Sequence, residues 1–171
     1  RVKVVKAASL MYFNQGSLVQ QLLHNLKYKG MKAIGTDLGA MAAERMLHSG
    51  FYTQITGIVP VPMHVVKKKQ RGYNQSEVIA QKISEGLNIP LLTEVLIKNK
   101  STVTQTHKGR QDRLENIKGS FTCRKNENLS GQHLLLIDDV ATTGATLEAC
   151  IQTLQDAGNP DISVFTVAIA E

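Results

Sequence analysis

The stretch from Leu134 to Thr146 constrains the fold of this chain more than any other part of the sequence. It opens with four consecutive apolar residues, a pattern typical of a parallel strand that is buried on both faces. Two carboxylates, Asp138 and Asp139, follow where this strand is predicted to end. After Thr146 the apolar residues recur at helical spacing, and Gly158 is suited to stop that helix. The stretch therefore predicts a strand, a turn and a helix in immediate succession.

The turn between this strand and this helix has the composition of a sugar-phosphate site. The first N–H groups of a helix are unpaired and lie at its positive end, where an anion binds well. Small residues let the backbone approach a phosphate, and hydroxyl side chains add donors. The acids can accept hydrogen bonds from vicinal ribose hydroxyls and help to retain a hydrated Mg²⁺. The predicted residues of this site are Asp138, Asp139, Ala141, Thr142, Thr143, Gly144, Ala145 and Thr146.

Paired acids after a strand also occur as helix caps or as surface charge, and Thr-Thr-Gly alone is common. The complete string of apolar residues, acids, hydroxyls and glycine is much rarer, so it favours the sugar-phosphate interpretation. This string resembles the phosphoribosyl pyrophosphate (PRPP) binding motif of type I phosphoribosyltransferases. Three further segments, Val59–Pro62, Arg71–Gln75 and Gln105–Phe121, resemble the ComF family in order and spacing. That family includes competence-associated proteins, and the resemblance covers about residues 18 to 169.

The resemblance implies an α/β fold with a mostly parallel, twisted sheet flanked by helices and a flexible loop over the site. The predicted order of helices and strands favours a mostly parallel sheet independently of the resemblance. A chain of 171 residues suits one domain, here residues 1–171. ComF-like proteins often carry a four-cysteine zinc ribbon before this domain, and the sequence has no such segment. Its two cysteines, Cys123 and Cys150, lack metal-binding spacing and are expected to be reduced thiols in a cytoplasmic protein.

Apolar periodicity and turn residues predict the other elements of the chain. A loose alternation favours an edge strand within residues 1–9. The helices are predicted from Ser17 to Gly30, from Thr36 to His48 and from Asn74 to Leu87, and the strands over Ile55–Val61, Leu91–Ile97 and Ile162–Ile169. The segment Asn116–Thr122 is predicted to lead into a short strand that ends near Phe121.

A second group of residues is expected to hold pyrophosphate. Ligands bind at the carboxyl ends of strands in parallel sheets, and the resemblance implies that Pro62, Met63 and His64 form the pyrophosphate loop there. Arg71 is favoured over the three lysines before it because its planar fork fits phosphate oxygens, although such a basic run is also typical of a solvated turn. Lys27 belongs to a Lys-Tyr-x-Gly string similar to one in ComF proteins, which implies that it reaches the pyrophosphate. A cation in the last turn of a helix is equally explained by the helix dipole.

The segment from Lys98 to Arg113 has one apolar residue and no core pattern. A loop of this length inside a compact domain is usually a functional lid or disordered. The resemblance implies a flexible loop that closes over the reaction centre and excludes water. Its candidate residues are Gln105, Lys108, Arg110 and Arg113, and the two arginines are assigned catalytic roles together with Asp138 and Asp139.

The distribution of charge predicts an anionic partner. The net charge is +6, and residues 65–125 alone hold 13 Lys or Arg against 5 Asp or Glu, which leaves the remainder near −2. A polyphosphate substrate and a nucleic-acid strand would both satisfy this excess, so charge does not decide between them. The aromatic content of 5%, without Trp, weakens the nucleic-acid alternative because strand binding commonly uses stacking. The aromatic candidates outside predicted strands are Tyr12, Phe13, Tyr28 and Tyr73.

These observations leave more than one class of function open. The first is an enzyme that transfers the phosphoribosyl group of PRPP, with Mg²⁺, to a nucleobase, an amine or ammonia and releases pyrophosphate. The second is a non-catalytic protein that handles single-stranded DNA or other competence proteins, and the third is a PRPP-sensing regulator. The sequence lacks the Gly-x-Gly-x-x-Gly motif of dinucleotide-binding folds and the Walker A motif of P-loop proteins. It also lacks the His-Glu-x-x-His motif of zinc proteases and the Gly-x-Ser-x-Gly motif of serine hydrolases. No apolar run approaches the roughly 20 residues of a membrane span, so no membrane insertion is expected, and a homodimer stays open.

Overall fold

The computed structural model describes residues 2–99, 119–124 and 128–170. Strands and helices alternate along much of this part of the chain. In chain order they are β1 (Ala7–Phe13), α1 (Leu18–Tyr28), α2 (Lys32–Ser49), β2 (Gly57–Pro60), α3 (Val65–Arg71), α4 (Gln75–Leu87), β3 (Leu96–Lys98), β4 (Phe121–Cys123), β5 (His133–Ala141), α5 (Ala145–Gly158) and β6 (Asp161–Ala170). Among the described helices, none combines the length and the apolar character needed to cross a bilayer.

The main sheet has four strands in the order β1-β6-β5-β2, and every neighbouring pair is parallel. This confirms the predicted mostly parallel sheet. The central strand β5 pairs on both sides, and Leu134 to Ile137 in it are completely buried. Strands β3 and β4 form a separate antiparallel pair. Because β5 lies in the middle, its carboxyl end is surrounded by the loops that follow the neighbouring strands.

Two hydrophobic clusters cover the two faces of the sheet. Helices α1, α2 and α4 pack with Leu135 and Ile137 of β5 on one face. Helix α5 and strands β3 and β4 pack with Leu134 and Leu136 on the other. Since successive side chains of a strand alternate between faces, the two acids that continue β5 are divided between the faces as well.

Several predicted boundaries were wrong, and tertiary pairing explains most of the differences. Strand β1 forms later than the alternating segment at residues 1–9, because Ala7 to Phe13 pair with β6 while Val4 and Val5 are exposed. Of the strand predicted over residues 91–97, only Leu96 and Ile97 belong to a strand, β3. Leu91 makes a single β-bridge to Ile58. The basic run before Gly72, for which a solvated turn was the alternative to a phosphate clamp, forms helix α3.

Strand β5 also continues further than predicted. Its pairing with β6 extends through Asp138, Val140 and Ala141. The acids therefore lie inside the strand rather than after its end. This longer ladder holds both carboxylates at fixed positions on a rigid element.

Candidate sugar-phosphate site

Asp138 and Asp139 are both buried, and each meets a different set of partners. One oxygen of Asp138, Oδ1, accepts hydrogen bonds from the Ser76 hydroxyl at 2.9 Å and from the Asp139 N–H at 2.9 Å. Ser76 lies in the first turn of α4, so the start of this helix supports the acid. Both donors favour the ionised carboxylate and hold it in one orientation.

Asp139 points to the opposite face of β5, where α1 supplies a lysine. Lys27 Nζ lies 2.5 Å from Asp139 Oδ2, and the Asp139 side chain is only 4% exposed. Within the described part of the chain, this Oδ2 atom accepts no hydrogen bond of good geometry, so the lysine charge is its main compensation. Gln75 Nε2 donates to the other oxygen, Oδ1, over a long 3.5 Å contact.

A polar chain connects Asp139 with Arg71. The Arg71 guanidinium donates to Gln75 Oε1, and the same amide contacts Asp139 through its nitrogen. The structure therefore brings together Lys27, Arg71 and the acid pair, which the sequence had assigned to two separate groups.

Burial dominates the electrostatics of the acid pair. Burial, and after it the neighbouring charge of Asp139, raise the pKa of Asp138, which lies at about 7. The hydrogen bonds from Ser76 and from the Asp139 backbone, and the charge of Lys27, act in the opposite direction. Asp138 consequently titrates close to neutral pH instead of in the usual acidic range.

The start of α4 is fixed by Asn74, which explains why Gln75 and Ser76 face β5. The Asn74 side chain accepts a hydrogen bond from the Ser76 N–H at 3.2 Å, as an N-cap, and donates to the Val61 carbonyl at 3.0 Å. The predicted helix start at Asn74 is confirmed. The buried polar side chains in its first turn were not assigned a role from the sequence, and their position next to the acids is a new finding.

Tyr73 ties the end of α1 to the start of α4. Its hydroxyl donates to the Leu26 carbonyl, which belongs to the last turn of α1 and has no partner within the helix ladder. Burial raises the pKa of Tyr73, so the hydroxyl keeps its proton and remains a donor at neutral pH. This contact fixes the helix turn that carries Lys27.

Replacing Tyr73 by Phe is expected to lower the free energy of unfolding by about 1–2 kcal/mol, because the buried Leu26 carbonyl would lose its donor. Urea denaturation of both proteins measures the change. Tyr12→Phe is the matched control, since the Tyr12 ring is exposed and its change is expected to stay within about 0.5 kcal/mol. Equal stabilities of Tyr73→Phe and the parent protein would contradict the role of this hydroxyl.

The turn after β5 has the backbone shape expected of an anion site. Gly144 has a φ of 76°, in the left-handed region, and α5 begins at the next residue. A Cβ on Gly144 would meet no atom within 4 Å, so glycine is required there by the backbone conformation and not by crowding. The Ala145 N–H faces Thr143 Oγ1 at 3.5 Å. Open space therefore lies against the first turn of α5.

The predicted pyrophosphate loop lies between β2 and α3. The His64 side chain serves as the N-cap of α3, because its Nδ1 accepts from the Val66 N–H at 3.3 Å. The loop borders a cleft of about 760 Å³. The cleft is lined by residues that include Pro62, Met63, His64, Asn74, Glu77, Lys98, Asn99 and Arg124. Gln105, Lys108, Arg110 and Arg113 lie outside the described residues.

The acid pair offers oxygen ligands for a Mg²⁺ ion. In the described ranges, no three His, Cys, Asp or Glu side chains are grouped so that they could hold a metal. The Oδ2 atom of Asp139 is taken by Lys27, and Asp138 Oδ1 already accepts two donors. The two carboxylates therefore fit a hydrated Mg²⁺ that they contact through water and that is also bound by phosphate oxygens of a substrate. They do not form an all-protein cage around the ion.

Comparison with known proteins identifies the relatives of this chain. The phosphoribosyl transferase domain family matches residues 73–169. Competence protein F of Haemophilus influenzae is 35% identical over 114 residues, which are 66% of this chain and 50% of that protein. DNA utilization protein YhgH of Escherichia coli O157:H7 is 29% identical over 147 residues, which are 84% of this chain and 64% of that protein. The chain thus spans between half and about two thirds of the length of these curated relatives.

A solved structure supports the fold. Glutamine PRPP amidotransferase of Bacillus subtilis superposes with a TM-score of 0.53 at 19% identity, over 78% of this chain and 26% of that chain. At this identity the likeness concerns the fold alone. Together with the parallel sheet, it confirms the predicted fold of the type I phosphoribosyltransferase kind.

Proposed function

Because the chain belongs to the phosphoribosyl transferase domain family, and within it to the ComF type, we propose that it binds PRPP and transfers its phosphoribosyl group to an acceptor. The observation that carries this proposal is the continuity of the buried acid pair on β5 with the Gly144 turn and α5. One rigid segment thereby presents acceptors for sugar hydroxyls and donors for a phosphate. As part of the proposal, the protein acts in the cytoplasm with Mg²⁺.

The residues of the proposed site have different roles in the transfer, according to their charge. The turn from Thr142 to Gly144 and the first residues of α5, Ala145 and Thr146, hold the 5-phosphate, and the acid pair accepts hydrogen bonds from the ribose hydroxyls. The bond from ribose C1 to the pyrophosphate oxygen breaks, with both electrons leaving on pyrophosphate. Lys27 and Arg71 stabilise that leaving charge, while Mg²⁺ neutralises further phosphate charge when bound. The acceptor forms the new bond to C1 and gives its proton to solvent.

Lys27 has two partners in this scheme. In the structure it neutralises Asp139, whose oxygen is needed for a ribose hydroxyl. A bound pyrophosphate offers the ammonium a stronger anion, so Lys27 is expected to leave Asp139 when PRPP binds. The site is therefore charge-balanced before the substrate arrives.

Replacing Gly144 by Ala is expected to weaken PRPP binding in the presence of Mg²⁺ at least about tenfold, because a left-handed φ costs an alanine about 1–2 kcal/mol and distorts the turn. Calorimetric titration measures the affinity. Gly131→Ala is the matched control: Gly131 has a φ of 71°, also with open space around its Cβ position, but it precedes β5 at the opposite end.

The two glycine variants are expected to lose similar stability, while only Gly144→Ala loses affinity. Equal loss of affinity in both would point to general destabilisation and count against the phosphate turn. Absence of PRPP binding by the parent protein would overturn the proposed function.

A second candidate function is the handling of single-stranded DNA. It is favoured by relatives whose names refer to competence and DNA utilization, and by the basic composition of the chain. Both functions can reside in one protein, because a phosphate site and a basic surface attract related ligands. Contact with other competence proteins and formation of a homodimer belong to the same proposal.

A further inference from the structure

We propose that single-stranded DNA binds across the surface where α1 meets α3, with one base stacked on Tyr28. We define this α1–α3 surface as the two α1 residues His24 and Tyr28, Arg71 of α3, and the lysines that follow α1 in sequence, Lys29 at its C-cap and Lys32 at the start of α2. The inference deepens the second candidate function and rests on it. It assigns the strand to a defined part of the molecule and gives one aromatic side chain a specific task.

The first observation is the environment of the tyrosines. Tyr73 is buried and bonded to α1, whereas Tyr12 and Tyr28 are 65% and 69% exposed. The Arg71 guanidinium lies 5.4 Å from the centroid of the Tyr28 ring, and the His24 ring lies 4.9 Å from it. Tyr12 has no comparable ring or cation contact among the described residues. Tyr28 therefore combines exposure with a basic surrounding, as a stacking platform for a base requires.

The second observation is the absence of acids from the segments that build this surface. Residues 2–36 contain five lysines and no Asp or Glu, and residues 56–76 contain four Lys or Arg and no Asp or Glu. Lys27 pairs with Asp139, and Lys68 pairs with Glu77. Lys29 and Lys32 are exposed beside Tyr28 in sequence. The surface thus favours a polyanion.

The third observation is that the platform is fixed before any ligand binds. The Tyr73 hydroxyl holds the last turn of α1, and Lys32 lies 5.1 Å from the centroid of the same Tyr73 ring. Arg71 is held by Gln75. Little side-chain freedom remains to be lost on binding, which lowers the entropic cost of stacking a base.

These observations favour a single strand over a duplex. A base can stack on a protein ring only when its own face is free, and duplex bases are stacked on one another. The lysines contribute affinity without sequence preference, since phosphates are the same at every nucleotide. We therefore expect sequence-tolerant binding with a strong dependence on salt.

The test measures fluorescence anisotropy of a labelled 20-nucleotide oligo-dT with the full chain at low and at physiological salt. Tyr28→Ala is expected to weaken binding at least about fivefold, because removing one stacking ring typically costs that much or more. Tyr28→Trp is expected to retain parent affinity, since its larger ring also stacks. Tyr12→Ala is the matched control, with a ring of the same kind and similar exposure, and is expected to bind like the parent protein.

Titration with PRPP and Mg²⁺ serves as the control for folding, and its affinity is expected to stay within about twofold in both alanine variants. Parent-like DNA binding by Tyr28→Ala, or an equal loss in Tyr12→Ala, would overturn the α1–α3 surface while leaving DNA handling in place. Failure of the parent protein to bind the oligonucleotide at all would overturn the second candidate function together with this inference. PRPP affinity is measured separately in every case, because Arg71 belongs to both proposed sites.

Discussion

Replacing Lys27 by Met is expected to lower the free energy of unfolding by about 3 kcal/mol and to abolish measurable PRPP binding. The loss of stability follows from the buried Asp139 carboxylate, which is 4% exposed and has Lys27 Nζ at 2.5 Å. Removing one partner of a buried ion pair leaves an uncompensated charge and typically costs about 3–5 kcal/mol. The lower end is expected because the Lys27 side chain is itself 22% exposed. Urea denaturation at pH 7.5 measures the change.

Two variants identify the origin of this loss. Lys29→Met removes a lysine two positions away that is exposed, and it is expected to change stability by less than about 0.5 kcal/mol. The double variant Lys27→Met/Asp139→Asn removes both charges and is expected to recover most of the lost stability, because no buried charge remains unpaired. A double variant as unstable as Lys27→Met would show that the loss of stability does not come from the unpaired charge of Asp139.

The central part of the fold was predictable because its signals are local. Four apolar residues, two acids, a glycine turn and a periodic apolar face occur within one short segment, and each implies the next element. The strand, the turn at Gly144 and the helix after it accordingly appear in the structure where the pattern places them. Only the end of the strand was misjudged, because pairing with β6 prolongs it.

The partners of the acids were not predictable, since they come from distant parts of the chain. Ser76 is 62 positions from Asp138, and Gln75 is 64 positions from Asp139. Local spacing carries no information about such contacts. The sequence indicated these partners only indirectly. Polar residues follow the predicted N-cap Asn74, and the start of that helix faces the carboxyl end of the sheet.

The alternation of a strand explains why the two acids differ. The sequence suggests a pair of equivalent carboxylates, but adjacent residues of β5 point to opposite faces. Asp139 therefore meets a lysine, whereas Asp138 is buried, accepts two hydrogen bonds and makes no ion pair within the described part of the chain. The same mutation is consequently expected to have opposite effects on stability at the two positions.

Replacing Asp138 by Asn is expected to raise the free energy of unfolding at pH 8 by on the order of 2–4 kcal/mol while weakening PRPP binding severely. The amide Oδ1 of Asn can still accept from Ser76 and from the backbone of residue 139, so both hydrogen bonds are kept. What disappears is the cost of burying a charge. The folded state raises the pKa of Asp138 from 3.8 to about 7, so the folded protein holds this proton more tightly than the unfolded chain does.

The sign of the pH dependence follows from this raised pKa. The stability that comes from holding the proton is fully present below about pH 3.8 and is lost as the pH rises through about 7. The advantage of Asp138→Asn is therefore expected to be small near pH 4, to grow between pH 4 and 7, and to become constant above that. Urea denaturation across this range measures it, with the exposed Asp37→Asn as a control that is expected to show no such trend.

The same pair of measurements connects stability with function. A binding site that buries a carboxylate lowers the stability of the folded protein. Removing this charge is therefore expected to raise the free energy of unfolding and, at the same time, to weaken ligand binding. A gain in stability that is equal at pH 5 and pH 8 would show that the charge of Asp138 is not its cause. Full PRPP affinity in Asp138→Asn would remove this acid from the sugar site and leave Asp139, with its lysine, as the residue that holds the ribose.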